Sequence, residues 1–182
     1  MKYVLFILLA SPVIAFSQKD SIVTYIGVVK IDSASKSDLY NAARQWFNYT
    51  FKDSKSVLQI QDKDAGQLSG KAASRGFFSS KVFGVSKKYP ASFEFSIDIW
   101  VKDGKYKYQI SNIDNYQTGE GNGPGLGILT SSETCPKKYP MTTQKRMDSS
   151  WASIKEGFED EAKSLIANLQ TSMTAYKRQS EF

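Results

Sequence analysis

Ser35-Lys-Ser-Asp38-Leu39-Tyr-Asn-Ala-Ala43-Arg-Gln-Trp46-Phe47, followed by Val57-Leu-Gln-Ile60 and Asp62-Lys-Asp64-Ala-Gly66, holds a helix, a strand and a tight turn in one short stretch. Ser35 is placed to accept from the first-turn amides. Asp38, three residues on, is placed to reach back to it as in a capping box, and its charge suits the positive helix end. Leu39, Ala43, Trp46, Phe47 and Thr50 share one arc at about 100° per residue, with Lys36, Asn41, Arg44, Gln45 and Asn48 mostly off it. One stripe of this helix is therefore committed to a core. After Ser54 the period drops to two, which puts Leu58 and Ile60 on one side of a strand and Val57, Gln59 and Gln61 on the other.

Upstream, residues 1–17 run from Met-Lys2 through an uncharged apolar stretch to Ala15-Phe16-Ser17, ahead of the polar Gln18-Lys19-Asp20. A basic start, a short apolar core and small residues before a polar sequence describe a cleavable export signal. The apolar run falls well short of the ~20 residues a membrane span needs. The expectation is an exported protein, periplasmic or extracellular and not membrane-spanning, with residues 18–182 forming one domain. Residues 21–31 are apolar on both faces and read as a first strand, covered on both sides.

Downstream, residues 62–66 turn the chain into a strand that begins at Leu68. Phe93, Phe95, Ile97, Ile99 and Val101 alternate with Glu94, Ser96, Asp98, Trp100 and Lys102, so one face is core and the other wet. Asp103-Gly104 is a two-residue hairpin turn. Its return strand sets Tyr106, Tyr108 and Ile110 against Lys105, Lys107, Gln109 and Ser111. Residues 75–90 carry Phe77, Phe78, Val82, Phe83 and Val85 among serines, glycines and lysines, and read either as a continued hairpin or as an exposed flap. Residues 116–140, with Gly119, Gly121, Gly123, Gly125 and Gly127, read as a flexible loop, because the spacing misses the phosphate-binding pattern.

Residues 143–176 are helical in period: Met147, Trp151, Ile154, Phe158, Ala162, Leu165, Leu169, Met173 and Tyr176 fall in one arc. The stripe from Met147 to Tyr176 runs ~45 Å, against ~33 Å for a ten-residue strand. Its far end must bury itself elsewhere, which motivates the expectation of a homodimer through this helix. The whole is expected to be an α+β domain, a five-stranded antiparallel sheet with two helices on one face in the order β-α-β-β-β-β-α.

These residues resemble the bacterial secreted proteins grouped as domain of unknown function 4468. The likeness rests on the leader, on Ser35-Lys-Ser-Asp38-Leu39 leading to Trp46-Phe47, on Gly66-Gln-Leu-Ser-Gly70-Lys71, and on the hairpin with Lys102-Asp-Gly-Lys105-Tyr106. It covers residues 22–116. The resemblance implies a TATA-binding-protein-like fold and an exported location. It brings no activity and no functional residues.

Chemistry is thinly supplied. The chain has no histidine and one cysteine, Cys135, so the usual neutral-pH base and metal ligand are absent and no internal disulfide can form. Cys135 reads as a partly buried small apolar residue or as an intermolecular disulfide partner. Ser33-Ala-Ser-Lys36 matches a nucleophile motif but lacks its partners, so a helix cap explains it better. Asp62, Asp64 and Gly66 start like a calcium loop and fail at the later ligand positions. Asn48-Tyr-Thr50 falls inside a helix, and Glu159, Asp160 and Glu161 read as a solvated helix face with Lys155 and Lys163 at pairing distance.

Neither enzyme, cofactor nor metal is expected. The net charge of +6, or five once Lys2 leaves with the leader, is spread along the chain and does not read as a nucleic-acid footprint. What remains is a surface. Trp100, with Glu94, Asp98, Lys107 and Gln109 on the wet face, is the expected binding patch for an envelope protein, glycan or lipid, unless residues 75–90 cover it. A carrier of a small apolar ligand, in a cavity lined by Phe93, Phe95, Tyr106, Tyr108 and Phe158, is the alternative.

Overall fold

A computed structural model describes residues 20–51, 54–82, 85–116 and 125–179. The expected leader, residues 1–17, lies outside the described residues, as do residues 117–124 of the glycine-rich connection. The elements run β1 (Tyr25–Lys30), α1 (Lys36–Thr50), a single-turn α2 (Ser54–Val57), β2 (Leu58–Asp62), β3 (Gln67–Val82), β4 (Val85–Lys102), β5 (Lys105–Tyr116), β6 (Gly127–Ile128) and α3 (Gln144–Gln179). The strands lie in the order β1-β5-β4-β3-β2, all antiparallel, and the two-residue β6 pairs with β5. The meander, and the return of β1 beside β5, are as the turns predict.

The capped helix forms as expected, with one change of partner. Ser35 Oγ accepts from the Asp38 amide at 3.1 Å and donates to the Asp38 carboxylate at 2.6 Å. The Lys36 amide is taken by Asp103 Oδ1 at 2.7 Å, from the β4–β5 turn. That turn is also stitched to the chain before α1 by Ile31 N–H to Gly104 O and Gly104 N–H to Ala34 O, both at 2.9 Å. Gly104 sits at φ 72, a conformation that glycine adopts without steric cost.

Leu39, Ala43, Trp46 and Phe47 are buried against the sheet's core face, which presents Leu68, Phe93, Phe95, Ile97, Ile99, Val101, Tyr106 and Ile110. On the same face, Phe158 of α3 lies edge-on to Phe93 at 5.0 Å and to Phe95 at 5.2 Å between ring centroids. Each such ring contributes about 1.5–3 kcal/mol through burial. The two helices also meet each other, and Trp46 Nε1 donates to Asn168 Oδ1 at 2.8 Å. Leu169 and Met173 are buried within the chain itself, so the mismatch between α3 and the sheet closes internally as far as Met173. The Tyr176 side chain lies outside what is described.

Of the two readings left open for residues 75–90, the structure takes the first, and three other details depart from expectation. Residues 75–82 and 85–90 continue the hairpin, paired in register from Gln67 opposite Trp100 to Val82 opposite Val85, and Phe83 lies outside the described residues. Phe78 stacks on Tyr89 on the core side, and Ser153 Oγ of α3 accepts from the Ser79 amide at 2.8 Å. Leu58 and Ile60 do not share a side, because a bulge between them shifts the register on β3. The first strand is covered on one face only: β1 is a sheet edge, and both helices lie on the other side from Ile26 and Val28. Finally, the expected loop after Tyr116 contributes to the core through Leu126 and Leu129, with Leu129 N–H bonded to Ile113 O at 2.8 Å.

The backbone of α3 comes close to the sheet at Gly157, where a Cβ would stand 2.5 Å from the Phe77 carbonyl oxygen. Gly157→Ala is expected to cost about 1–3 kcal/mol by overpacking, and Phe158→Ala about 3–5 kcal/mol by leaving a cavity. Both appear as lower urea midpoints with unchanged slopes. A Gly157→Ala midpoint equal to that of the wild type contradicts this packing.

Candidate binding face

With both helices on one side, the other side of the sheet is bare among the described residues. Strand register fixes what stands next to what. One cross-strand row holds Val28, Lys107, Trp100 and Gln67; the next holds Ile26, Gln109, Asp98, Ser69 and Ile60; the outermost holds Lys30, Lys105 and Lys102. Ile26, Val28 and Ile60 are 57%, 64% and 48% exposed, large aliphatic areas on rows whose other members, Trp100 apart, are polar.

All five residues expected from the sequence lie on this face, but they are not one cluster. Trp100 and Lys107 are direct neighbours, with Lys107 Nζ 4.8 Å from the indole centroid, a cation–π contact. Asp98 and Gln109 are opposite each other in the next row. Glu94 lies beyond a register shift and is bound to Lys71 at 2.7 Å; this hydrogen bond holds the Lys71 ammonium above its ordinary range. The described part of residues 75–90 does not cover Trp100, because the hairpin arm leads away from it along the strands.

A cavity of about 230 Å3 opens beside the indole, lined by Val28, Trp100, Lys102, Lys105, Tyr106 and Lys107. Sequence reading missed Val28, Lys102 and Lys105 as its walls. Lys102 and Lys105 flank the Asp103-Gly104 turn, a local signal that was available. Val28 comes from β1 and becomes a neighbour only through register. The turn's bonds to α1 and to the chain before it hold this corner rigid.

The cavity expected for a small apolar ligand is filled. Phe158 occupies the space between Phe93 and Phe95, and Tyr106 is fully buried. Tyr108 lies over Gly27, where a Cβ would stand 2.5 Å from its hydroxyl.

The residues tested for chemistry have structural employment. Ser35 caps α1, Lys36 Nζ donates to the Asp64 carbonyl, and Asp62 accepts from the Ala65 amide at 2.7 Å. Glu159 pairs with Lys163 at 2.7 Å. Cys135 is buried, and burial pushes its thiol above the ordinary range, so it is not presented for an intermolecular disulfide.

A one-faced antiparallel meander with two helices behind it, and an aromatic set in the bare face, defines an α+β domain of the TATA-binding-protein-like class. The chain belongs to the family described as Domain of unknown function (DUF4468) with TBP-like fold, whose model matches residues 25–116. It is similar to a DUF4468 family protein of known crystal structure from Bacteroides ovatus, at 15% identity over 84% of this chain and 86% of that one, with a TM-score of 0.60. It is also similar to a TBP-like protein from Parabacteroides distasonis, at 13% identity over 82% and 93% of the two chains, with a TM-score of 0.49. At 15% identity the likeness to the first of these shows the fold alone. Among curated proteins none matches the sequence.

Among the described residues no helix is long and apolar enough to cross a membrane. The buried Cys135 thiol is expected to react with a disulfide reagent only as fast as the native protein opens, and fully in denaturant. Complete labelling of native protein within the mixing time contradicts its placement.

Proposed function

We propose that the protein is an exported, non-catalytic binding module of the cell envelope that engages its partner through the bare face of the sheet around Trp100. The observation that carries this reading is the juxtaposition of a half-buried indole with the exposed Ile26 and Val28 on a rigid, helix-backed sheet. An indole with one apolar body and one wet side is the kind of anchor that binding faces use, and desolvating exposed aliphatic area supplies the drive. Export rests on the leader sequence and on the family resemblance. The absence of histidine and the structural roles of Ser35, Asp62 and Glu159 support a non-catalytic role.

The test is capture from the protein's own envelope fraction by wild type and by Trp100→Ala, after circular dichroism has shown equal folding. The expected outcome is a partner, protein, glycan or lipid, that wild type retains and the variant loses. Equal capture by both removes Trp100 from the binding face and with it this reading.

A further inference from the structure

Lys105 of β5 stands directly opposite Lys30 of β1 on one side and Lys102 of β4 on the other, so three ammonium groups line one row of adjacent strands. Lys107, in the next row, adds a fourth beside Trp100. Like charges placed directly opposite across strands are destabilising. Among the described residues none of the four is in an ion pair with a carboxylate. The sequence therefore keeps a cost in the free protein that an anionic ligand would relieve. Lys102, Lys105 and Lys107 line the same cavity of about 230 Å3 as Trp100 and Val28, so the lysines and the apolar wall address one occupant.

We infer that this corner binds a carboxylate-bearing polysaccharide, with a sugar ring resting against Trp100 in the cavity and successive carboxylates along Lys30, Lys105 and Lys102. A repeating anion fits a row of cations at strand spacing, about 4.8 Å apart, better than a single charge does. The recessed indole fits a ring that enters, and not a bilayer, which would need apolar side chains projecting from a tip. The inference rests on the bare face being the binding face and names the class of ligand for it.

The experiment is affinity electrophoresis of the purified protein through gels containing polygalacturonate, with neutral dextran as the control. Wild type is expected to be retarded by polygalacturonate and not by dextran. Lys102→Glu/Lys105→Glu should weaken retardation about tenfold or more, the scale of one or two lost charge contacts. Lys102→Gln/Lys105→Gln should weaken it less, and Trp100→Ala should weaken it without a change of charge. Lys87→Glu/Lys88→Glu, far out on the β3–β4 arm, should leave it unchanged.

Three results would overturn the inference: no retardation by polygalacturonate, equal loss in the Lys87→Glu/Lys88→Glu variant, or binding to duplex DNA or phosphatidylglycerol vesicles as tight as to polygalacturonate. If polygalacturonate fails while Trp100-dependent capture from the envelope persists, the glycan assignment falls and the binding face stands. Loss of both removes both.

Discussion

Phe158 of α3, set edge-on between Phe93 and Phe95 of β4, is the contact on which the rest of the molecule depends. It pins the long helix to the middle of the core face, where α1 already lies, and so both helices cover the same side of the sheet. A sheet covered once leaves its other face to water. That second face carries the half-buried Trp100 and the exposed aliphatic surface of Ile26 and Val28, which the helices, being on the other side, do not cover.

The β4–β5 turn then makes one corner of the bare face stiff. Asp103 caps the first amide of α1, while Gly104 exchanges backbone bonds with Ile31 and Ala34. Lys102 and Lys105 stand on either side of this turn, so their backbones are held by the helix start as well as by the strand ladder. A site whose framework is fixed in advance loses less entropy on binding than one built on a free loop. The glycines of the motif at residues 66–71 serve the same framework: a Cβ on Gly66 would stand 2.6 Å from the Val101 carbonyl oxygen, and one on Gly70 2.8 Å from that of Val57.

The sequence exposed what is local. The cap at Ser35, the stripe from Leu39 to Phe47, the alternation from Phe93 to Val101 and the turn at Asp103-Gly104 each depend on residues a few positions apart, and each formed where expected. The hairpin arm was less legible, because the Phe77-Phe78 doublet and its serines break simple alternation. The bulge at Asn112, at φ 53, changes which side chains face the core after Ser111, and no composition rule announces it. Of the binding face, Trp100 and Lys107 were legible from alternation within their own strands. The lysine row was not, because Lys30, Lys105 and Lys102 meet only through the register of three strands.

Lysine acetylation footprinting of the folded protein, with and without its own envelope fraction, measures directly which face is covered. Lys30, Lys102, Lys105 and Lys107 are expected to be protected together while Lys87, Lys88 and Lys145 react as before. Protection that instead falls on lysines along α3, or evenly over the surface, would contradict the assignment of the bare sheet face as the side that binds.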